Sequence, residues 1–166
     1  MNQIIDLSVP KGAIFSEDRK YRYALWRVWN PSEQGLMVVG LNPSTADERL
    51  NDPTVTRVIT RAERAGYGSL FMANLFALVS TDPKALLNNT EAVGEMTDYY
   101  IRYMVDLSKR QLCGWGSFKP VPQRSGVVLG MLRDPYCLGV NQDGESKHPL
   151  YVGYDVPMVK YQLCSK

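Results

Sequence analysis

The segment Gly40-Leu41-Asn42-Pro43-Ser44-Thr45-Ala46-Asp47 combines residue types that are suited to chemistry at the end of a strand. A glycine and an asparagine close an apolar run, and the proline that follows stops strand pairing and turns the chain. Asn42 is therefore left at the strand end with an amide donor and an amide acceptor. Such an amide can position a water molecule or a planar ring. The same spacing also fits a simple turn, and both interpretations stay open on this segment alone.

Further polar groups suited to a planar heterocycle occur elsewhere in the chain. Asn74 ends a second apolar run, and His148, the single histidine, opens the segment His148-Pro149-Leu150-Tyr151. The alternative for His148 is a histidine bonded to a backbone carbonyl. Asp47 and Asp52 are candidates to stabilise positive charge or to act as a base. Asp47 equally fits a loop carboxylate, and Asp52 a helix N-cap.

Two weaker candidates follow from position. Arg57, Arg61 and Arg64 lie on one face of a predicted helix at intervals of four and three, where they can receive phosphates. The alternative is a solvated face that is partly paired with Glu63. Trp115 stands at a predicted strand end and can stack on a ligand.

Composition restricts the class of protein. The 166 residues, 45% hydrophobic and 22% charged, fit one globular domain spanning residues 1–166, and the net charge of +2 does not favour broad capture of nucleic acid. Three widely spaced cysteines (Cys113, Cys137 and Cys164) exclude a disulfide framework and a zinc ribbon. No cofactor and no metal are expected. Because no apolar stretch is long enough for a membrane span and no leader precedes the domain, we expect a soluble, cytoplasmic protein.

Strand and helix patterns alternate along the chain. Strands are predicted at Tyr21–Trp29, Gly35–Gly40, Ser69–Asn74, Gln111–Gly116 and Pro135–Val140. Helices are predicted from Pro53 to Ala65, over Thr90–Leu107 and over Gly126–Leu132, with a short helical piece opening at Thr81-Asp82-Pro83. This order predicts an α/β fold whose mostly parallel, four-stranded central sheet, with an added N-terminal strand, is covered by helices on both faces.

Ligands of such sheets bind beyond the carboxyl ends of the strands. The predicted strands end near Asn42, Asn74, Trp115 and Asn141. We therefore expect these four side chains to meet on one rim of the sheet.

Several short motifs occur in a fixed order along the chain. They are Tyr21-Arg22-Tyr23, Gly40 to Asp47, Asn51-Asp52-Pro53-Thr54, Asn74-Leu75-Phe76, Trp115-Gly116, Leu138-Gly139 and His148-Pro149-Leu150-Tyr151. In this order they resemble a phage and bacterial family known as domain-of-unknown-function family 1643. The resemblance covers roughly residues 13–152 and brings no settled activity with it.

A more distant resemblance is to the uracil-DNA glycosylase superfamily, which has a three-layer α/β/α sandwich fold of this size. The run Gly40 to Ser44 is similar to the Gly-Ile-Asn-Pro-Gly motif of the mismatch-specific branch, and His148-Pro149 is similar to the second motif. The resemblance implies that Asn42 holds the attacking water, that Asn74 reads the edge of a pyrimidine and that His148 stabilises charge on the departing base. It also implies ligand contacts from Gly40, Leu41, Pro43, Ser44, Phe76, Trp115, Gly116, Pro149 and Tyr151.

Two departures from the superfamily pattern bear on the substrate. Ser44 stands where the superfamily has glycine, and Leu150 stands where it has a phosphate-gripping serine. The resemblance therefore implies hydrolysis of the N-glycosidic bond of a nucleobase, nucleoside or nucleotide, such as a modified base in phage DNA, with duplex DNA less favoured. The alternative is a module that binds a nucleotide-derived molecule or modified base without cleaving it. A third possibility is an interaction protein that has lost its pocket.

Overall fold

Two buried apolar runs form the centre of the sheet. In the computed structural model, which describes residues 2–162, these runs are the strands β3 (Gly35–Gly40) and β4 (Ser69–Asn74). Every residue of both strands is buried, as expected for strands that are covered on both faces. The two strands pair in parallel, and Gly40 lies opposite Asn74.

Within residues 2–162 the sheet has seven strands. The other five are β1 (Lys11–Phe15), β2 (Arg22–Val28), β5 (Arg110–Cys113), β6 (Pro135–Cys137) and β7 (Val159–Lys160), and the order is β1-β2-β4-β3-β5-β6-β7. The four inner strands β4, β3, β5 and β6 are parallel neighbours. The pairs β1–β2, β2–β4 and β6–β7 are antiparallel.

The predicted α/β class is confirmed, but the prediction of a mostly parallel sheet needs correction. Parallel and antiparallel pairings are equally represented in the described residues, because antiparallel strands extend both ends of the parallel block. The sequence did not indicate β1, which is short and begins with Lys11 and Gly12, or the two-residue strand β7.

Helices cover both faces of the sheet. Successive residues of a strand point to opposite faces, so a strand that is apolar throughout has apolar side chains to bury on both. Leu36 and Val38 pack in one apolar cluster with the helix α1 (Pro53–Arg64). Met37 and Val39 pack in the other cluster, together with residues of the helix α2 (Thr97–Leu107) and Val128 of the helix α3 (Pro122–Leu129). The central strands are thus shielded from water on both sides.

Helix α1 follows its sequence signals. Asp52 is the N-cap and its side chain accepts a hydrogen bond from the Val55 N–H, while Pro53 occupies the first helical position. A short 3₁₀ turn at Pro83–Leu86 begins after Asp82, also as expected.

Helix α2 is shorter than predicted, because it begins at Thr97 and not at Thr90. The carbonyls of Ala92 and Val93 instead accept hydrogen bonds from the Leu78 and Ala77 N–H groups. Gly94 then adopts a φ of +85°, which an α-helix cannot accommodate. The apolar period of this segment reflects contact with the core, since Ala92 is buried and Val93 is partly buried against the same cluster, and it does not reflect a helix.

Helix α3 and two strands also differ from the predicted boundaries. The helix spans Pro122–Leu129 and not Gly126–Leu132, because Pro122 is suited to the first turn. Strands β5 and β6 end at Cys113 and Cys137, three residues before the predicted ends. The residues that follow them are free to form loops at the rim.

The described helices are all too short or too polar to cross a bilayer. Cys113 and Cys137 are buried and unbonded to each other, and Cys164 lies outside the described residues.

Candidate functional site

A cleft of about 740 Å³ opens where β3, β4 and β5 end. The predicted site residues that line it are Gly40, Leu41, Asn42, Ser44, Asn74, Trp115, Gly116, His148 and Tyr151, together with the predicted rim residue Asn141. Its volume is within the range of small-molecule sites in proteins. The four rim positions expected from the strand ends therefore border one cavity.

Close approach of two strand ends shapes the floor of the cleft. Gly40 and Asn74 are opposite each other, and the Leu75 N–H donates to the Gly40 carbonyl at 2.9 Å. A Cβ at residue 40 would lie 2.9 Å from Asn74 Nδ2 and 3.2 Å from Met72 Cε. Glycine is therefore the residue that leaves room for the Asn74 amide.

The amide of Asn42 is held by its nitrogen. Nδ2 donates to the carbonyls of Pro43, Leu78 and Ser80 at 3.1, 3.3 and 3.0 Å. Among the described residues no donor reaches Oδ1. Asn42 therefore offers an oriented acceptor to a water molecule or a ligand in the cleft.

Asn74 presents the opposite polarity. Its side chain is 5% exposed, and Oδ1 accepts a hydrogen bond from Arg22 Nη2 at 3.3 Å. This contact fixes which end of the amide is oxygen and leaves Nδ2 as the donor available to a ligand.

The imidazole of His148 is positioned as a neutral hydrogen-bond donor. Nδ1 accepts a hydrogen bond from the Leu150 N–H at 3.2 Å, so in the neutral ring the proton is on Nε2. Nε2 has no partner among residues 2–162. Burial lowers the pKa of His148, and the nearby charge of Asp52 opposes that shift. The neutral form therefore predominates at pH 7.

The candidate carboxylate in the cleft is Asp52, not Asp47. Asp52 lines the cavity and is 9% exposed; one of its oxygens caps α1 at 2.8 Å from the Val55 nitrogen. Its other oxygen accepts no hydrogen bond from the described residues. Asp47 lies outside the cavity wall, where its side chain accepts hydrogen bonds from the Arg49 and Leu50 N–H groups. These bonds lower the pKa of Asp47, which acts as a loop carboxylate.

Three predicted contact residues also lie outside the cavity wall. Pro43 is buried below the turn, and Phe76 is 6% exposed within an apolar cluster. Pro149 packs against the end of β5, where a Cβ on Gly114 would lie 2.8 Å from its ring. These residues support the loops of the site and do not border it.

The two arginines predicted as phosphate contacts hold the chain instead. Arg57 donates to the carbonyls of Pro149 and Val152, and Arg61 donates to those of Val152, Gly153 and Val156. Neither lines the cleft. Arg57 and Arg61 therefore have a structural role, whereas Arg64, the third residue of the stripe, is exposed and lies over the Tyr154 ring.

Stacking of Trp115 on a ligand is not available in this structure. Its side chain is 1% exposed, its indole N–H donates to Glu145 Oε2 at 2.7 Å, and its ring packs edge-on to Tyr161. Phe118, which is half-buried and lines the cleft, is the aromatic ring better placed for contact. Phe118 was not predicted from the sequence, although it follows Trp115-Gly116 closely.

Arg22 and Lys147 also line the cleft, and neither was predicted from the sequence as a site residue. The signal for Arg22 was its place in the Tyr21-Arg22-Tyr23 motif. Within residues 2–162 no group of three His, Cys, Asp or Glu side chains forms a metal site.

Comparison with known proteins identifies the family. No curated protein and no solved structure matches the chain. Residues 22–150 match the model of the family described as "Protein of unknown function (DUF1643)", and this segment contains more than three quarters of the sequence. The match begins at Arg22 and ends at Leu150, two residues that line the cleft. The chain belongs to this family of unknown function.

Proposed function

We propose that this protein recognises a nucleobase in the cleft and hydrolyses its N-glycosidic bond, as a uracil-DNA-glycosylase-like enzyme does. The observation that carries the proposal is the convergence of the Asn42 acceptor, the Asn74 donor and the neutral His148 ring on one cavity. Together they offer the donors and acceptor that the edges of a planar base require.

The fold is compatible with this assignment. Four parallel strands carry helices on both faces, and the cleft lies beyond their carboxyl ends, where α/β sheets bind ligands. These features support a three-layer α/β/α sandwich of the glycosylase type.

In the proposed reaction the bond between the sugar C1′ and a ring nitrogen breaks, and its electron pair leaves with the base. The oxygen of a water molecule forms the new bond to C1′. One proton of this water passes to a carboxylate, and the ring nitrogen takes up a proton from solvent. Little activation of the water is needed once the sugar is cation-like, so positioning and charge stabilisation carry the catalysis.

Each polar side chain has one task in this scheme. Asn42 Oδ1 orients the water by accepting one of its hydrogen bonds, and the free oxygen of Asp52 takes the proton. His148 Nε2–H donates to an oxygen of the base as negative charge develops there. A neutral imidazole suits this task because burial disfavours the imidazolium.

The charge pattern favours a small ligand over extended duplex DNA. The chain has a net charge of +2, and Arg57 and Arg61 of α1 are engaged with backbone carbonyls. Binding along a duplex usually requires several basic contacts to phosphates. Free nucleosides, nucleotides and single-stranded oligonucleotides with modified bases are the substrates to test first.

The test is release of free base, measured by chromatography and mass spectrometry. We expect Asn42→Ala to lower the release rate on the order of a hundredfold, because a positioned polar group is lost. Asn2→Ala, at an exposed position with no side-chain hydrogen bond in the described structure, is the matched control and should keep the wild-type rate. If the folded wild-type protein releases no base from any of these substrates, the hydrolase proposal is wrong.

A second candidate function is binding without cleavage. Ser44 lines the cleft at a position where the resembling glycosylases have glycine, so its side chain occupies space near the sugar. Recovery of an intact nucleotide after incubation and heat denaturation favours this function, whereas recovery of a hydrolysed one favours the enzyme.

A further inference from the structure

Arg22 is a buried arginine at the edge of the cleft. It begins β2, is 3% exposed and lines the cavity. Because β2 runs antiparallel to β4, the first residue of β2 lies at the rim where β4 ends. Arg22 therefore joins Asn74 at one end of the site.

The guanidinium of Arg22 is incompletely paired. Nη1 donates to the Ala46 carbonyl at 2.9 Å, and Nη2 makes the longer contact to Asn74 Oδ1 at 3.3 Å. Among the described residues Nε is buried without a partner, as is also the case for Nε of Arg61 and Arg110, so the groups left for a ligand are the second N–H of Nη1 and the second N–H of Nη2. Within residues 2–162 no carboxylate lies within 4.0 Å of this guanidinium.

Arg27 shows what a purely structural arginine looks like on the same strand. It is also 3% exposed, yet its three nitrogens donate to five acceptors. These acceptors are Asn51 Oδ1 and the carbonyls of Gly12, Trp26, Asp47 and Leu50. Burial of Arg27 is thus compensated by five hydrogen bonds, whereas Arg22 makes only two.

An undercompensated buried cation is unfavourable unless something else offsets its desolvation. Burial lowers the pKa of Arg22 to about 10, and the charge of Asp52 opposes this shift. Arg22 therefore stays protonated at pH 7. The charged side chains lining the cleft are two cations, Arg22 and Lys147, and one carboxylate, Asp52. The cavity has an excess of positive charge.

We propose that Arg22, beside Asn74, forms a subsite for an anionic oxygen group of the ligand, a carboxylate or a phosphate. This inference rests on the proposed function only in taking the ligand to be a nucleobase or nucleotide. An anion held there would accept charge-assisted hydrogen bonds from the remaining Nη–H groups of Arg22.

The position of the subsite indicates which part of the ligand it takes. His148 lies beside the end of β5, since a Cβ on Gly116 would be 3.6 Å from His148 Cβ. The Arg22 guanidinium reaches Asn74 on β4, and β4 is two strands away from β5 in the sheet, which corresponds to roughly 10 Å at the spacing of paired strands. The anionic group therefore lies away from the bond that His148 helps to break. It is either a carboxylate on the far edge of the base or a phosphate of a nucleotide.

Calorimetric titration with paired probes distinguishes these two sources. One pair is uracil-5-carboxylate and uracil, the second is uridine monophosphate and uridine, and inorganic phosphate is a separate probe. We expect the wild-type protein to bind the charged member of one pair about tenfold to a hundredfold more tightly than the neutral member, as for hydrogen bonds to a charged group. A preference in the first pair identifies a base carboxylate, and one in the second pair a phosphate.

The variant Arg22→Met removes the charge and keeps the length of the side chain. In this variant the affinities for the two members of the preferred pair should lie within about threefold of each other, mainly because the charged member binds more weakly. Arg22→Lys, which keeps a charge but not the planar fork, should retain part of the preference and serves if the methionine variant does not fold. Arg102→Met, at an exposed position on α2, is the control and should behave as wild type.

Failure of the subsite and failure of the proposed function are distinguishable. Binding of neutral bases with no charge preference, or a preference that survives in Arg22→Met, overturns the subsite and leaves the proposed function standing. Arg22-dependent binding of inorganic phosphate without binding of any base supports the subsite and contradicts the nucleobase proposal. If no probe shows a dependence on Arg22, the inference is wrong.

Discussion

The contact between Trp115 and Glu145 gives the sharpest test of how the cleft is built. Glu145 is 4% exposed, and its two carboxylate oxygens accept from Trp115 Nε1 at 2.7 Å and from Ser125 Oγ at 2.9 Å. Next to it, Ser146 Oγ accepts from the Trp115 N–H. This network fixes the segment that leads to His148 against the end of β5.

Trp115→Phe keeps an aromatic ring in the core but removes the indole donor. A buried hydrogen bond to a charged group contributes about 1.5–3 kcal/mol, and the smaller ring also leaves a cavity, so the free energy of unfolding should fall by at least that amount. For a domain of this size the corresponding fall in melting temperature is roughly 3–12 °C. Trp29→Phe is the matched control because the Trp29 indole N–H donates to a neutral acceptor, the Tyr67 carbonyl, at 3.0 Å. Its cost should be about 0.5–1.5 kcal/mol.

Urea unfolding of a double-mutant cycle isolates the interaction. In a Glu145→Gln background the loss of the indole N–H leaves no buried charge without a partner. Trp115→Phe should therefore lower the free energy of unfolding by less, with a coupling energy on the order of 1 kcal/mol. A Trp115→Phe variant of unchanged stability but strongly weakened ligand binding would refute this reasoning, because it would mean that the indole stacks on the ligand.

Two further outcomes follow from the site geometry. Gly40→Ala should displace the Asn74 amide, because Nδ2 would lie 2.9 Å from the added Cβ. We expect base binding, measured by calorimetric titration, to weaken about tenfold or more. The control Gly130→Ala, at a helical φ of −64°, should bind the base as the wild-type protein does. Base release should fall as the pH drops through the lowered pKa of His148, because protonation of Nδ1 breaks its bond with the Leu150 N–H. Between about pH 6.5 and the lowered pKa of the folded state, the unfolded chain binds more protons at His148 than the folded one, so the free energy of unfolding should decrease as the pH is lowered through this range. The decrease should be smaller in His148→Gln. Equal pH dependence of the two proteins would contradict the assignment.

Local signals predicted the elements that depend on neighbouring residues. The Asp52-Pro53 pair places the start of α1 correctly, because the cap and the first turn involve residues adjacent in sequence. The runs that became β3 and β4 are bounded by glycine and asparagine, so their ends were also visible. Asn42 and Asn74 could be placed on one rim for the same reason.

Features that depend on distant pairing were not visible. Arg22 reaches the rim because β2 joins the sheet antiparallel to β4, and nothing local to residues 22–28 specifies that neighbour or its direction. The late start of α2 has the same origin, since Ala92 and Val93 pair with residues 77 and 78 across the fold. Long-range hydrogen bonds overrode the helical period of this segment.

The arginine stripe of α1 shows how one helix can set both halves of the site. Its first turn fixes Asp52 at the cleft, and four residues into the helix Arg57 donates to the carbonyl of Pro149, the residue after His148. Arg61 holds the chain further on through three carbonyls. The carboxylate of Asp52 and the turn that carries His148 are therefore both attached to the N-terminal half of α1. Arg57 and Arg61 therefore position the His148 turn, and this engagement leaves them poorly placed to bind phosphate even though their spacing suits it.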